Sequence, residues 1–137
     1  MMCFKGCLGL FSAFVSKYLK RMWDKESLMQ MEAMNAFEVK EFKKGERISK
    51  KAVDNDNILI HFHFYSTNSK VQLHQHADSV DIYYVIEGEG LVTIGNEERV
   101  LRKGDIVAIP KNTVHGVVNP YKKPLVMLDI LAPKPKT

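Results

Sequence analysis

Cysteine is nearly absent. Cys3 and Cys7 are the only two in 137 residues, and both precede any strand-like pattern. No disulfide framework can staple the domain. A single Cys-x3-Cys pair also falls short of a structural zinc site, which needs four ligands. Such cysteine usage fits a reducing, cytoplasmic compartment. Long apolar runs are missing too: no stretch reaches the ~18 consecutive residues of a membrane span. A basic surface is missing as well. The net charge of +4 belongs to residues 1–25, where Lys5, Lys17, Lys20, Arg21 and Lys25 stand against Asp24. The other 112 residues carry 15 basic and 15 acidic side chains. The domain therefore offers no basic excess to nucleic acid. Residues 1–36 hold no turn between two helices, so they form no helix-turn-helix.

What is present first is an amphipathic segment. Leu8, Phe11, Val15, Tyr18, Leu19 and Met22 recur at steps of three and four, flanked by Cys7, Phe14 and Trp23. Ser12, Ser16, Lys17 and Lys20 take the polar side. Three roles fit this helix. It could be a secretory leader, although no small-x-small cleavage pattern follows. It could lie on a membrane surface through residues 8–23, aromatics down and cations up. The preferred role is a packing arm over the domain or a neighbouring subunit. Met29, Met31 and Met34 are alternative starts, so the arm could also be an over-extended reading frame. The segment divides the chain into an arm over residues 1–36, a domain over 37–132 and a tail over 133–137.

From Phe37 the texture is that of strands. Phe37, Val39 and Glu41 alternate weakly with Glu38, Lys40 and Phe42. Ile58–Tyr65 alternates strongly, with Ile58, Ile60, Phe62 and Phe64 on one face and Leu59, His61, His63 and Tyr65 on the other. Further strands are expected at 71–76, 82–86, 91–94, 100–101, 106–109, 114–118 and 125–131. Gly88-Glu89-Gly90, Gly95-Asn96, Lys103-Gly104 and Pro110-Lys111-Asn112 separate them. Turns this short cannot hold crossover helices, so the sheet is antiparallel and the fold an all-β sandwich or barrel.

One stretch carries chemistry. In Gln72-Leu73-His74-Gln75-His76, the two histidines stand at i and i+2. On extended backbone both imidazoles point to one face. Asp81 follows five residues later, and His115 is the remaining ligand candidate. Three imidazoles and a carboxylate suit a divalent transition metal and leave two open positions if it prefers six.

These residues resemble the cupin family. Its first motif, G-x5-H-x-H-x(3,4)-E-x6-G, finds His74, His76, Asp81 and Gly88 in register. Its second, G-x5-P-x-G-x2-H-x3-N, finds Gly104, Pro110, His115 and Asn119. The resemblance spans about residues 58–131. It implies a jelly-roll, double-stranded β-helix barrel with the metal inside. It also implies a homodimer and iron, manganese, zinc, nickel or copper as the metal. Asn68 and Asn112 replace motif glycines; both are turn positions where Asn tolerates positive φ. Asp81 replaces the usual glutamate. It is one methylene shorter, so its reach is the open point of the ligand set.

Other candidates are weaker. Gln72 shares the parity of His74, and Tyr83 that of Asp81, so both could face the pocket. Tyr83 fits equally well as a core aromatic. His61 and His63 could line the pocket, but a solvated or inter-subunit face is the preferred reading. Two functions remain in view. One is a metal-dependent enzyme acting on a small molecule, of oxygenase or isomerase/epimerase type. The other is a non-catalytic small-ligand-binding or sensor barrel.

Overall fold

The computed structural model describes residues 33–136. The expected arm over 8–23 lies outside the described residues, as does most of segment 1–36. The strands are β1 (Arg47–Asp54), β2 (Leu59–Tyr65), β3 (Lys70–His74), β4 (Val80–Glu87), β5 (Glu89–Ile94), β6 (Glu97–Arg102), β7 (Ile106–Ile109), β8 (His115–Val118) and β9 (Leu125–Ala132). All pairings are antiparallel. They build a five-stranded sheet in the order β1-β2-β9-β4-β7 and a four-stranded sheet in the order β3-β8-β5-β6. This is the expected all-β jelly roll. Among the described residues, no helix is long and apolar enough to cross a membrane.

The sheets pack through their inner faces. Tyr65, Tyr83, Val85 and Met127 from the first meet Val92, Leu101 and Val117 from the second in one buried cluster. Each fully buried side chain of this size contributes about 1.5–3 kcal/mol. One end of the space between the sheets is polar instead, and the donor cluster lies there.

Two expectations need correction. Residues 37–42 form no strand. They begin inside a turn in which Glu38 and Val39 N–H both donate to Asn35 O, at 3.1 and 3.2 Å. The weak alternation arises because Ala36 and Val39 pack on the outer face of the first sheet, where Phe42 meets Phe64 edge-on at 5.8 Å. The second correction follows from the first. Phe62 and Phe64 of β2 belong to that outer cluster, with Val126 and Ile86. The opposite face, carrying His61, His63 and Tyr65, is the inner one: Tyr65 joins the central cluster, and both histidines line a pocket. A strand covered on both sides is apolar on both, so alternation alone could not say which face is the lumen.

β1 went unpredicted. Its Arg-Ile-Ser-Lys-Lys-Ala-Val-Asp sequence is rich in charge, as suits the outermost strand of a sheet.

Candidate metal centre

Two strands meet end to end at the cluster. His74 closes β3, His115 opens β8, and the two are partners across the ladder. The register shifts between Val71 and His74, so β3 carries a bulge there. Gly116 sits against it. A Cβ at Gly116 would lie 3.1 Å from both Val71 O and Leu73 Cδ2. Bulges re-aim side chains, and here the His74 and His115 rings come to 4.4 Å between centroids. His76 lies just beyond β3, in a segment held by Asn112 N–H donating to His76 O at 2.8 Å. Its ring is 5.0 Å from that of His74 and 5.4 Å from that of His115. Asp81 is the second residue of β4, paired with Ile109 on one side and Leu131 on the other. One donor atom from each of His74, His76, Asp81 and His115 falls within 4.8 Å of all the others. The shorter carboxylate does arrive: Oδ2 of Asp81 is 2.9 Å from His115 Nε2 and 3.8 Å from His76 Nε2.

The imidazoles are oriented from behind. Nδ1 of His74 lies 2.8 Å from Gln72 O, and Nδ1 of His115 lies 2.7 Å from Thr113 O. A carbonyl only accepts, so each Nδ1 carries the proton and donates. Each Nε2 is left to face the cluster. Histidines that hold metals are oriented this way, with the second nitrogen donating to a carbonyl or carboxylate. Oδ1 of Asp81 is buried with no donor in reach. The donor set therefore fits a divalent cation.

Electrostatics at the centre are strained without a cation. Burial, above all, pushes the Asp81 carboxyl up to about 7, and Asp129 beside it pushes the same way against the hydrogen bond with His115. Asp129 moves the other way. Burial would raise it, but the hydrogen bond from His63, with the neighbouring Asp81 and His61, outweighs that and lowers it. Two buried carboxyls this close cannot both ionise. The proton is thus favoured on the Asp81 side and the charge on Asp129. Burial, then the neighbouring His74 and His115, lowers His76. For His115, burial is outweighed by the hydrogen bonds with Asp81 and Thr113, and it rises.

The centre opens on a pocket of about 580 Å³ whose lining includes His74, His76, Gln72, His61, His63, Asp129 and Arg47. His63 Nε2 donates to Asp129 Oδ2 at 2.7 Å. His61, His63 and Asp129 form a second group with donor atoms within 4.8 Å. Gln72 is exposed in the pocket wall. Tyr83 packs behind His115, with ring centroids 5.9 Å apart, inside the central cluster. Asp129 was missed from sequence, though a signal existed: it is the one acid in the apolar run Leu125–Leu131, and a buried acid calls for a partner. Arg47 gave no signal, because its strand was not recognised.

A double-sheet barrel with three imidazoles and a carboxylate converging at one end defines a jelly-roll domain with an interior donor centre. The family model described as "Cupin domain" matches residues 62–131, more than half of the chain, and the chain belongs to the cupin family. An uncharacterized protein of Methanocaldococcus jannaschii is 45% identical over 60 residues, 44% of this chain and 48% of that one. The chain thus spans about half the length of that relative. The pectin degradation protein KdgF of Dickeya dadantii is 32% identical over 92 residues, 66% of this chain and 82% of that one. Among solved structures, TT1209 of Thermus thermophilus superposes with a TM-score of 0.73 at 26% identity, covering 77% of this chain and all of that one. KdgF from Halomonas sp. shares the fold, with a TM-score of 0.62 at 23% identity over 71% of this chain and 86% of that one.

Proposed function

We propose that the barrel binds one divalent transition metal through Nε2 of His74, His76 and His115 with Asp81 as fourth ligand, and carries out proton transfer of isomerase or epimerase type on a small molecule. The observation that carries the reading is the anchoring of His74 and His115 by backbone carbonyls, which leaves both Nε2 atoms free for the cluster, that of His115 beside the buried Asp81 carboxylate. A metal held there would supply Lewis acidity, polarising a substrate oxygen at its open positions. The ligands suit iron, manganese, zinc, nickel and copper alike.

The chain's own residues supply the rest. Asp129 lines the pocket, and the hydrogen bond from His63 favours its charged form, so its carboxylate is the group placed to accept a substrate proton. His63 fixes the orientation of that carboxylate through Oδ2. Oxygenase chemistry would use the same ligands but leave the His63–Asp129 pair idle. The name of the Dickeya relative supports a carbohydrate-derived substrate.

Elemental analysis of the purified full chain tests the metal. One equivalent is expected, with a clear loss in His76→Ala. Equal metal in both proteins would sink the reading. For proton transfer, the metal-loaded chain is incubated in deuterium oxide with a panel of aldoses, ketoses and their sugar acids. Deuterium incorporation is expected, at least ~100-fold slower in Asp129→Asn. Undiminished incorporation by that variant would remove Asp129 from the role.

A further inference from the structure

We propose that Arg47, with Lys70 at the rim, is a carboxylate-recognition subsite, so that the molecule meeting the histidine centre is an organic acid. This deepens the metal-centre reading above and rests on it.

The register of the outermost strands makes the case. β1 and β3 each lie at one end of a sheet. On β1, Arg47 stands opposite Tyr65 and Ser49 opposite His63. Partners directly across a ladder share a face. Tyr65 belongs to the central cluster and His63 to the pocket, so Arg47 and Ser49 turn to the lumen as well. On β3, the bulge brings Val71 and His74 onto the inner face, opposite Val117 and His115, and Lys70 and Gln72 also border the pocket. The pocket beside the donor centre is thus bordered by Lys70 as well as by the β1 arginine.

Among the described residues, the arginine has no counter-charge. Its Nη1 rests 3.2 Å from Nδ1 and 3.5 Å from Nε2 of His63. The two acids of the barrel interior are engaged elsewhere: Asp129 by His63 at 2.7 Å, Asp81 by His115 at 2.9 Å. Among the described residues, no carboxylate oxygen comes within the 4.0 Å of an ion pair to Arg47. A guanidinium is always charged, and Arg47 stands half-buried in the pocket wall with its donors turned to the His63 ring. A ligand carboxylate would satisfy it, since the planar fork of arginine matches two carboxylate oxygens. Lys70 would add a point charge at the mouth, and Gln72 an amide between the two ends. Such a ligand would present oxygen donors to the histidine centre and its acid group to Arg47.

The test uses two acids that differ at one carbon. 2-Hydroxyglutarate and 2-hydroxypentanoate share a chelating hydroxy-acid end; the far end is carboxylate in one and methyl in the other. Each is titrated calorimetrically into the zinc-loaded full chain. The first is expected to bind at least ~10-fold more tightly. Arg47→Leu should reduce that preference to ~2-fold or less, Arg47→Lys should recover part of it, and added salt should weaken it in the wild type. Bound zinc and melting temperature in Arg47→Leu should match the wild type. Equal binding of the two acids, binding of neither, or full preference in Arg47→Leu would overturn the proposal. Displacement of 2-hydroxyglutarate by an equal concentration of inorganic phosphate would overturn the carboxylate assignment. If the chain holds no zinc, the metal reading fails by itself. The Nε–Hε resonance of Arg47 in the metal-free chain then decides the subsite: a saturable shift with 2-hydroxyglutarate supports it, and an unmoved signal refutes it.

Discussion

Oδ2 of Asp81 stands 2.9 Å from Nε2 of His115, and both side chains are buried. Nδ1 of that histidine already donates to Thr113 O. The contact between the two therefore holds a proton, as imidazolium or as carboxylic acid, in the place a metal would take. Metal binding must release that proton. With Asp81 pushed up to about 7, affinity should rise as pH climbs toward that value and flatten above it. Competition titrations with a chelating dye, at intervals from about pH 5.5 to about pH 8, measure this. Affinity independent of pH across that range would contradict the arrangement.

The metal-free protein should show the opposite trend. Asp81 has an ordinary value of 3.8 and is raised to about 7 in the fold, so the folded state binds the extra proton between those values. Its stabilising contribution is complete below 3.8 and is lost as pH rises through about 7. Asp81→Asn removes the titrating group and should be favoured over wild type increasingly as pH rises across that window. Urea unfolding of both metal-free proteins gives the comparison. A constant difference in midpoint would refute the linkage.

Restoring the family's glutamate tests the reach of Asp81. The carboxylate already meets His115 and lies 2% exposed between Ile109 and Leu131. An added methylene has no room and should cost about 1–3 kcal/mol. Asp81→Glu should thus keep its metal while melting lower. Tighter metal binding with no loss of stability would mean that Asp81 is too short after all.

Asp81 also shows where the sequence could be read and where it could not. His74, His76, Asp81 and His115 lie at intervals that a strand pairing converts directly into proximity, so the four meet. Asn68 and Asn112 were legible for a similar reason: both take positive φ, 64° and 59°, which asparagine tolerates. β1 was not legible, because a strand paired on one side only is selected for charge, and its lysines read as loop. The inner face of β2 was not legible either, because residues 36–42 cover the opposite face and make it equally apolar. Asp129 and Arg47 depend on both of those pairings. The part of the pocket beyond the donor centre was therefore hidden until the strands were in place.

Asn119, the last residue of the second motif, is structural. It is fully buried, and its Nδ2 donates to Tyr65 O at 3.1 Å and Lys123 O at 2.9 Å while its Oδ1 accepts from Tyr121 N–H at 3.0 Å. These bonds tie the turn after β8 to the end of β2. Asn119→Ala removes one buried and two half-buried hydrogen bonds, and a buried group left unpartnered is worth about 1–3 kcal/mol. A loss of about 3 kcal/mol or more is expected in denaturant titration. A loss below about 1 kcal/mol would mean that water replaces the amide.

The same turn limits Gly88. Its φ is +80°, and a Cβ there would lie 2.3 Å from Pro124 O and 3.2 Å from Leu125 Cα. The obstacle is backbone. Lys123 O is bound by Asn119, and Leu125 is fully buried, so this segment cannot retreat. Gly88→Ala should therefore cost well over the ~1 kcal/mol attached to positive φ alone, on the order of 3–5 kcal/mol. Gly95 provides the control. Its φ is +59°, but the nearest atom to a Cβ is Thr113 Cγ2 at 4.0 Å. Gly95→Ala should then show only the conformational cost, about 1 kcal/mol. Thermal melts of the two variants separate strain from collision. Equal losses would place the whole effect in φ and none in the contact with Pro124.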